Sequence, residues 1–90
     1  MRSEPQWQRT PNVAHEILSD VVVTFALVTG EVRRLDGPSS AVYVALANPA
    51  GVEDIMAALR NDVGIPTVSH EDVLPLLHAL ESWALVEQVS

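Results

Sequence analysis

Few side chains in this sequence are of a type and spacing that could do chemistry. The histidines, His15, His70 and His78, show no close metal-ligand spacing. On an ideal helix of 3.6 residues per turn, His70 and His78 point about 80° apart. No zinc site, no other metal and no cofactor is expected. Ser39 and Ser40 are adjacent but have no histidine nearby in sequence to act as a base, so they read as first-turn residues of a helix. The neighbouring carboxylates Glu53-Asp54 and Glu71-Asp72 fall where helices should begin, a position the helix dipole favours for negative charge. Gly30 and Gly37 sit at turns, and there is no Gly-rich phosphate loop. No catalytic residues are expected, and the protein reads as a non-enzyme. What remains is Glu31-Val32-Arg33-Arg34-Leu35, a short segment with two adjacent arginines. Its chemistry is that of an edge strand, whose outer backbone N–H and C=O groups are free to bind another chain.

The elements that must position this segment can be read from hydrophobic pattern and turn residues. Val21 to Val28 is rich in β-branched and aromatic types, as strands are, and Thr29-Gly30-Glu31 supplies the reversal. Val13 to Leu18 alternates imperfectly, with Val13, His15 and Ile17 on one side and Ala14, Glu16 and Leu18 on the other, and Ser19-Asp20 has turn chemistry. The expectation is a three-stranded antiparallel meander over residues 13–18, 21–28 and 31–35. Residues 1–12 contain Pro5 and Pro11 and are expected to be a flexible lead-in, with Trp7 folding back onto a single domain of residues 13–90.

The period then changes. Pro38 suits the first position of a helix, which should end before Asn48-Pro49. Val52, Ile55, Met56 and Leu59 form an apolar stripe at helical spacing, so a second helix runs from Val52 to near Gly64. After the connector Ile65-Pro66-Thr67, Ser69 and Asp72 have the spacing of a capping box. They open a third helix that extends to about Trp83. Pro75 fits that helix best if Asp72 is its cap and Pro75 lies in the first turn. Val73, Leu74, Leu76, Leu77, Leu80 and Trp83 cover more than one helix face, leaving apolar surface that could line a groove. Ala84 to Val89 reads as a short extended tail packed back on the domain.

Ninety residues with 48% apolar and 19% charged content make one small globular domain, and no apolar run approaches the roughly 18 residues a membrane span needs. The start of the chain lacks an apolar stretch to serve as a signal peptide, and there is no cysteine, so a cytoplasmic address is expected. Twelve acidic residues against five arginines and no lysine give a formal charge of −7, which argues against nucleic acid as a partner.

Three strands followed by three helices, β-β-β-α-α-α, form an α+β, winged-helix-like fold, and here a family resemblance enters. The chain resembles the PqqD-like proteins, the recognition elements that bind the leader of a ribosomally made precursor peptide. The resemblance covers roughly residues 21–87. It rests on the hydrophobic strand, Thr29-Gly30, Leu35-Asp36 where the family commonly has Leu-Asn, Tyr43 with Leu46 after it, the stripe from Val52 to Leu59, and Asp72-Val73, Leu76, Leu80 and Leu85-Val86. The departures are the Pro49-Ala50-Gly51 linker, Pro75, and Ala84 where the family usually has glycine. The resemblance implies that a leader peptide adds as a fourth strand beside Glu31, Val32, Arg33, Arg34 and Leu35. Its apolar side chains would enter a cleft walled by Asp72, Val73, Leu76, Leu77 and Leu80. Arg33 and Arg34 would pair with leader carboxylates. The stand-alone length looks most like the recognition proteins of lasso peptide pathways, whose partners are a leader peptidase and an ATP-dependent cyclase. A PqqD-like chaperone for a radical SAM enzyme is the alternative.

Each of these positions also has a plainer role. Val73, Leu76, Leu77 and Leu80 can be core, the arginines can serve only to protect an edge, and Asp72 can serve only its helix. Two other classes share the architecture. A winged-helix DNA-binding domain would use the third helix for recognition, but Ser69 to Trp83 holds no arginine or lysine. A docking subunit would use its apolar helix face and bind no peptide strand.

Overall fold

The computed structural model describes residues 5–19, 21–63 and 69–89. Along the chain lie β1 (Gln6–Arg9), β2 (Val13–Leu18), β3 (Val21–Ala26), β4 (Val32–Asp36), α1 (Pro38–Ala45), α2 (Val52–Ala58), a π-helical turn (Leu59–Val63), α3 (His70–Ser82) and β5 (Val86–Val89). The expected α+β arrangement is present, with β2-β3-β4 as an antiparallel meander ahead of three helices. Asp20, Gly64 and the expected connector Ile65-Pro66-Thr67 lie outside the described residues.

Two strands flank the expected order. β1 pairs antiparallel with β5 to make a second sheet, in the register Gln6↔Val89 to Arg9↔Val86. Over Gln6–Arg9 this corrects the reading of residues 1–12 as a flexible lead-in, while residues 1–4 lie outside the described residues. The cause is Trp7, only 1% exposed. Its own backbone bonds to Ala50 in both directions, N–H to O at 2.7 Å and O from N–H at 2.9 Å. Burying an indole removes a large apolar area from water, and that gain holds a proline-flanked segment that local propensity alone leaves unstructured. The tail beyond α3 is likewise a strand, β5.

The helices follow their sequence signals. Pro38 occupies the first turn of α1, after Gly37 at φ 60. Val52, Ile55, Met56 and Leu59, the predicted stripe, are all buried. At α3 the cap differs from the one expected. Ser69 is the N-cap, and Asp72 closes a capping box by accepting the Ser69 N–H at 3.0 Å. Pro75 therefore lies inside the helix, beyond its first turn. The bond its missing N–H forgoes is the one to the Glu71 carbonyl, in the exposed first turn.

The end of α3 turns on Ala84. The Leu85 N–H reaches back to Leu80 O and the Ala84 N–H to Glu81 O, both at 2.9 Å, which is a Schellman motif. Such a motif needs a left-handed residue, and Ala84 supplies it at φ 60. A Cβ there is strained by roughly 1 kcal/mol. Ala84→Gly should therefore stabilise the protein by about 0.5–1 kcal/mol, raising the thermal midpoint by a few degrees. A lower midpoint on thermal melting would contradict this account of the helix terminus.

Candidate functional site

The arrangement at the segment 31–35 follows from how the hairpin closes. Ala26 accepts a hydrogen bond from the Gly30 N–H at 2.7 Å and donates its own N–H to Glu31 O at 2.9 Å. One residue of the first arm thus faces two of the second, a bulge that Gly30 allows by taking φ 77. The Ala26–Glu31 bond sets the phase of the ladder. Residues in antiparallel strands alternate between pairs that exchange hydrogen bonds and pairs that do not. With the register Phe25↔Val32, Thr24↔Arg33, Val23↔Arg34 and Val22↔Leu35, Arg33 and Leu35 turn their backbone groups toward β3. Val32 and Arg34 turn theirs away from it. Among the described residues no strand pairs with that outer edge, because the sheet order ends at β4.

The same register sorts the side chains. Leu35 and Arg33 share the inner face with Val22 and Thr24, while Val32 and Arg34 share the outer face with Phe25 and Val23. Leu35 is buried under α1, which packs on β4. Val32 is 62% exposed. Arg33 crosses from β4 to the end of α3, where its guanidinium carbon lies 4.7 Å from the centroid of the Trp83 ring, a cation–π contact. Its nearest carboxylate is Glu31, at 3.9 Å, too long for a hydrogen bond. Arg34 and Asp36 approach to 3.8 Å on the outer face with both side chains well exposed, so solvent screens that pair.

The helix residues divide. Asp72 is exposed and already engaged as a capping residue, accepting also from Ser69 Oγ at 3.2 Å. Leu76 is half-buried and packs against the core. Val73, Leu77 and Leu80 are fully buried. They are core, and with no exposed surface they do not line an open cleft; a domain this small uses its last helix to cover the rest. Trp83 is the residue that sequence reasoning left out of the site. Its signal was an aromatic at the end of an apolar helix, and what places it beside Arg33 is tertiary packing.

The other free edge, that of β2, has different company. Arg9 reaches across from β1 to the carbonyl end of α1, donating through Nε to Tyr43 O at 3.0 Å and through Nη2 to Val44 O at 3.3 Å. Its guanidinium also lies over the Tyr43 ring, at 4.8 Å, and 3.4 Å from His15 Nε2. Burial first, and then the Arg9 charge, hold His15 below its ordinary pKa. This cluster ties the two sheets to α1. Among the described residues there is no group of three or more His, Cys, Asp or Glu that could hold a metal ion, and no helix is long and apolar enough to cross a membrane.

No family model, no curated protein and no solved structure matches the chain.

The ladder phase makes adjacent proline substitutions unequal. Arg34→Pro removes an N–H that faces outward, so the thermal midpoint should stay within a few degrees of the parent. Arg33→Pro removes an N–H bonded to β3, a loss of roughly 2 kcal/mol and a fall of about 8–16 °C. Equal melting temperatures for the two variants would show that the phase of the ladder is otherwise.

Proposed function

We propose that the protein is a non-catalytic adaptor that captures the leader of a ribosomally made precursor peptide as an added strand on β4 and presents it to processing enzymes. The observation that carries this reading is the outward-facing backbone of Val32 and Arg34 on a terminal strand, with an aromatic-capped cation, Arg33 on Trp83, beside it. Strand addition draws affinity from main-chain hydrogen bonds and selectivity from flanking side chains, and both are available along this edge. The resemblance to PqqD-like recognition elements in the hairpin, the Tyr43 helix and the Leu85-Val86 segment supports the same assignment. Within that family the spacing from Thr29-Gly30 to Leu35-Asp36 fits a lasso peptide pathway in the cytoplasm, with a leader peptidase and an ATP-dependent cyclase as recipients of the captured peptide. A radical SAM enzyme would take their place in a pathway that modifies the leader-bound peptide by radical chemistry.

The docking-subunit reading draws on a different feature. The outer face of the meander, on the side away from the helices, exposes the cross-strand pair Phe25 and Val32 at one end and Leu18 at the other. A partner seated there would bind without any strand addition.

A fluorescence-polarisation titration separates the two, using the labelled leader of a precursor encoded beside this chain, with a scrambled leader and a labelled DNA duplex as controls. Saturable binding to the leader alone, with a Kd of about 1 μM or tighter, is the expected result. Arg34→Pro should weaken it at least tenfold with the circular dichroism of the helices retained. Leader binding that Arg34→Pro leaves unchanged would reject the β4 edge as the site, and no leader binding would reject the adaptor reading.

A further inference from the structure

Backbone pairing accepts almost any extended chain, so the choice of peptide must lie with side chains next to the incoming strand. In antiparallel pairing the closest side chains belong to the pairs that exchange no hydrogen bonds, with Cα atoms about 4.5 Å apart. If Val32 and Arg34 make the hydrogen-bonded pairs with an added strand, Arg33 and Leu35 fall in the close pairs, on the inner face. Among the described residues the Arg33 guanidinium makes no hydrogen bond, and its side chain is 35% exposed. Its central carbon lies over the Trp83 ring, 4.7 Å from the centroid, and Glu31 stands off at 3.9 Å. An arginine already held by a cation–π contact can offer its donors to a carboxylate with less of its long side chain left to order.

We propose that Arg33, seated on Trp83, reads a carboxylate on the bound peptide. The peptide carries Asp or Glu opposite Arg33 and an apolar residue two positions away, opposite Leu35. It carries no second acid two positions to the other side, where Glu31 would repel it. The inference rests on strand addition to β4 and names the chemistry of the peptide that adds. The formal charge of the whole chain is −7, so acidic peptides gain nothing from long-range attraction, and the preference is confined to one position.

The test is selection of random dodecapeptides displayed on phage against the full chain and against two variants, Arg33→Glu and Arg33→Gln, each checked for folding by circular dichroism. The expected result is enrichment by the parent of peptides sharing an apolar residue and an acid two positions apart. Arg33→Glu should enrich a basic residue in place of the acid. For a selected peptide, Arg33→Gln should weaken binding about tenfold, and it should leave unchanged the binding of the same peptide with its acid replaced by the amide. Peptides that bind, and are lost with Arg34→Pro, but share no acid would overturn the role of Arg33 while leaving strand addition standing. An acid preference that persists in Arg33→Gln would do the same. Enrichment of no peptide by the parent would overturn strand addition itself, and the reading of Arg33 with it.

Discussion

In an antiparallel strand each residue turns its N–H and C=O to the same side, and the next residue turns them to the other. The interest of this domain follows from that constraint. β3 is the centre of the meander and alternates its bonds between β2 and β4, so every residue of it is satisfied. The bulge at Gly30 then decides which residues of β4 are left over. They are Val32, Arg34 and Asp36, whose side chains lie on the outer face, while Arg33 and Leu35 face inward with their backbone occupied. A single turn therefore sets both what the open edge offers to a partner and which side chains flank that partner.

The remainder of the molecule holds that edge in place. α1 buries Leu35 and so fixes the inner face of β4, and α3 packs against α1 and α2 and brings Trp83 beside Arg33. The second sheet secures both termini of the described chain to the helices. Trp7 fills the core from β1, Val86 does so from β5, and Arg9 binds the Tyr43 and Val44 carbonyls at the end of α1. A chain of ninety residues buries a smaller share of its surface than larger domains do, so it cannot spare these segments as loose ends.

Much of the fold was legible in the sequence because strong local signals agreed with one another. The β-branched run from Val21, glycine at the hairpin, Pro38 at a helix start and the stripe from Val52 to Leu59 each specify an element with little help from the rest of the chain. What escaped depended on distant partners. β1 has neither length nor pattern, and it is a strand only because Trp7 finds the core and β5 finds its edge. The capping box at Ser69 was readable, yet the rule against proline inside a helix pointed to Asp72 as the cap. The structure keeps Pro75 inside the helix, where the unpaired carbonyl falls in its exposed first turn. At the candidate site the edge strand and its arginines could be named in advance. The burial of Val73, Leu77 and Leu80 and the seat of Arg33 on Trp83 could not, since both are set by how α3 packs against α1 and α2.

Amide hydrogen exchange along β4, followed by NMR with and without the leader peptide, shows whether this edge is open and whether the leader fills it. In the free protein the Arg33 and Leu35 amides should be protected, and those of Val32 and Arg34 should exchange fast. Saturating leader should then protect Val32 and Arg34 as well. Protection of Val32 and Arg34 in the free protein, or their continued fast exchange with the leader bound, would contradict an open β4 edge as the binding site.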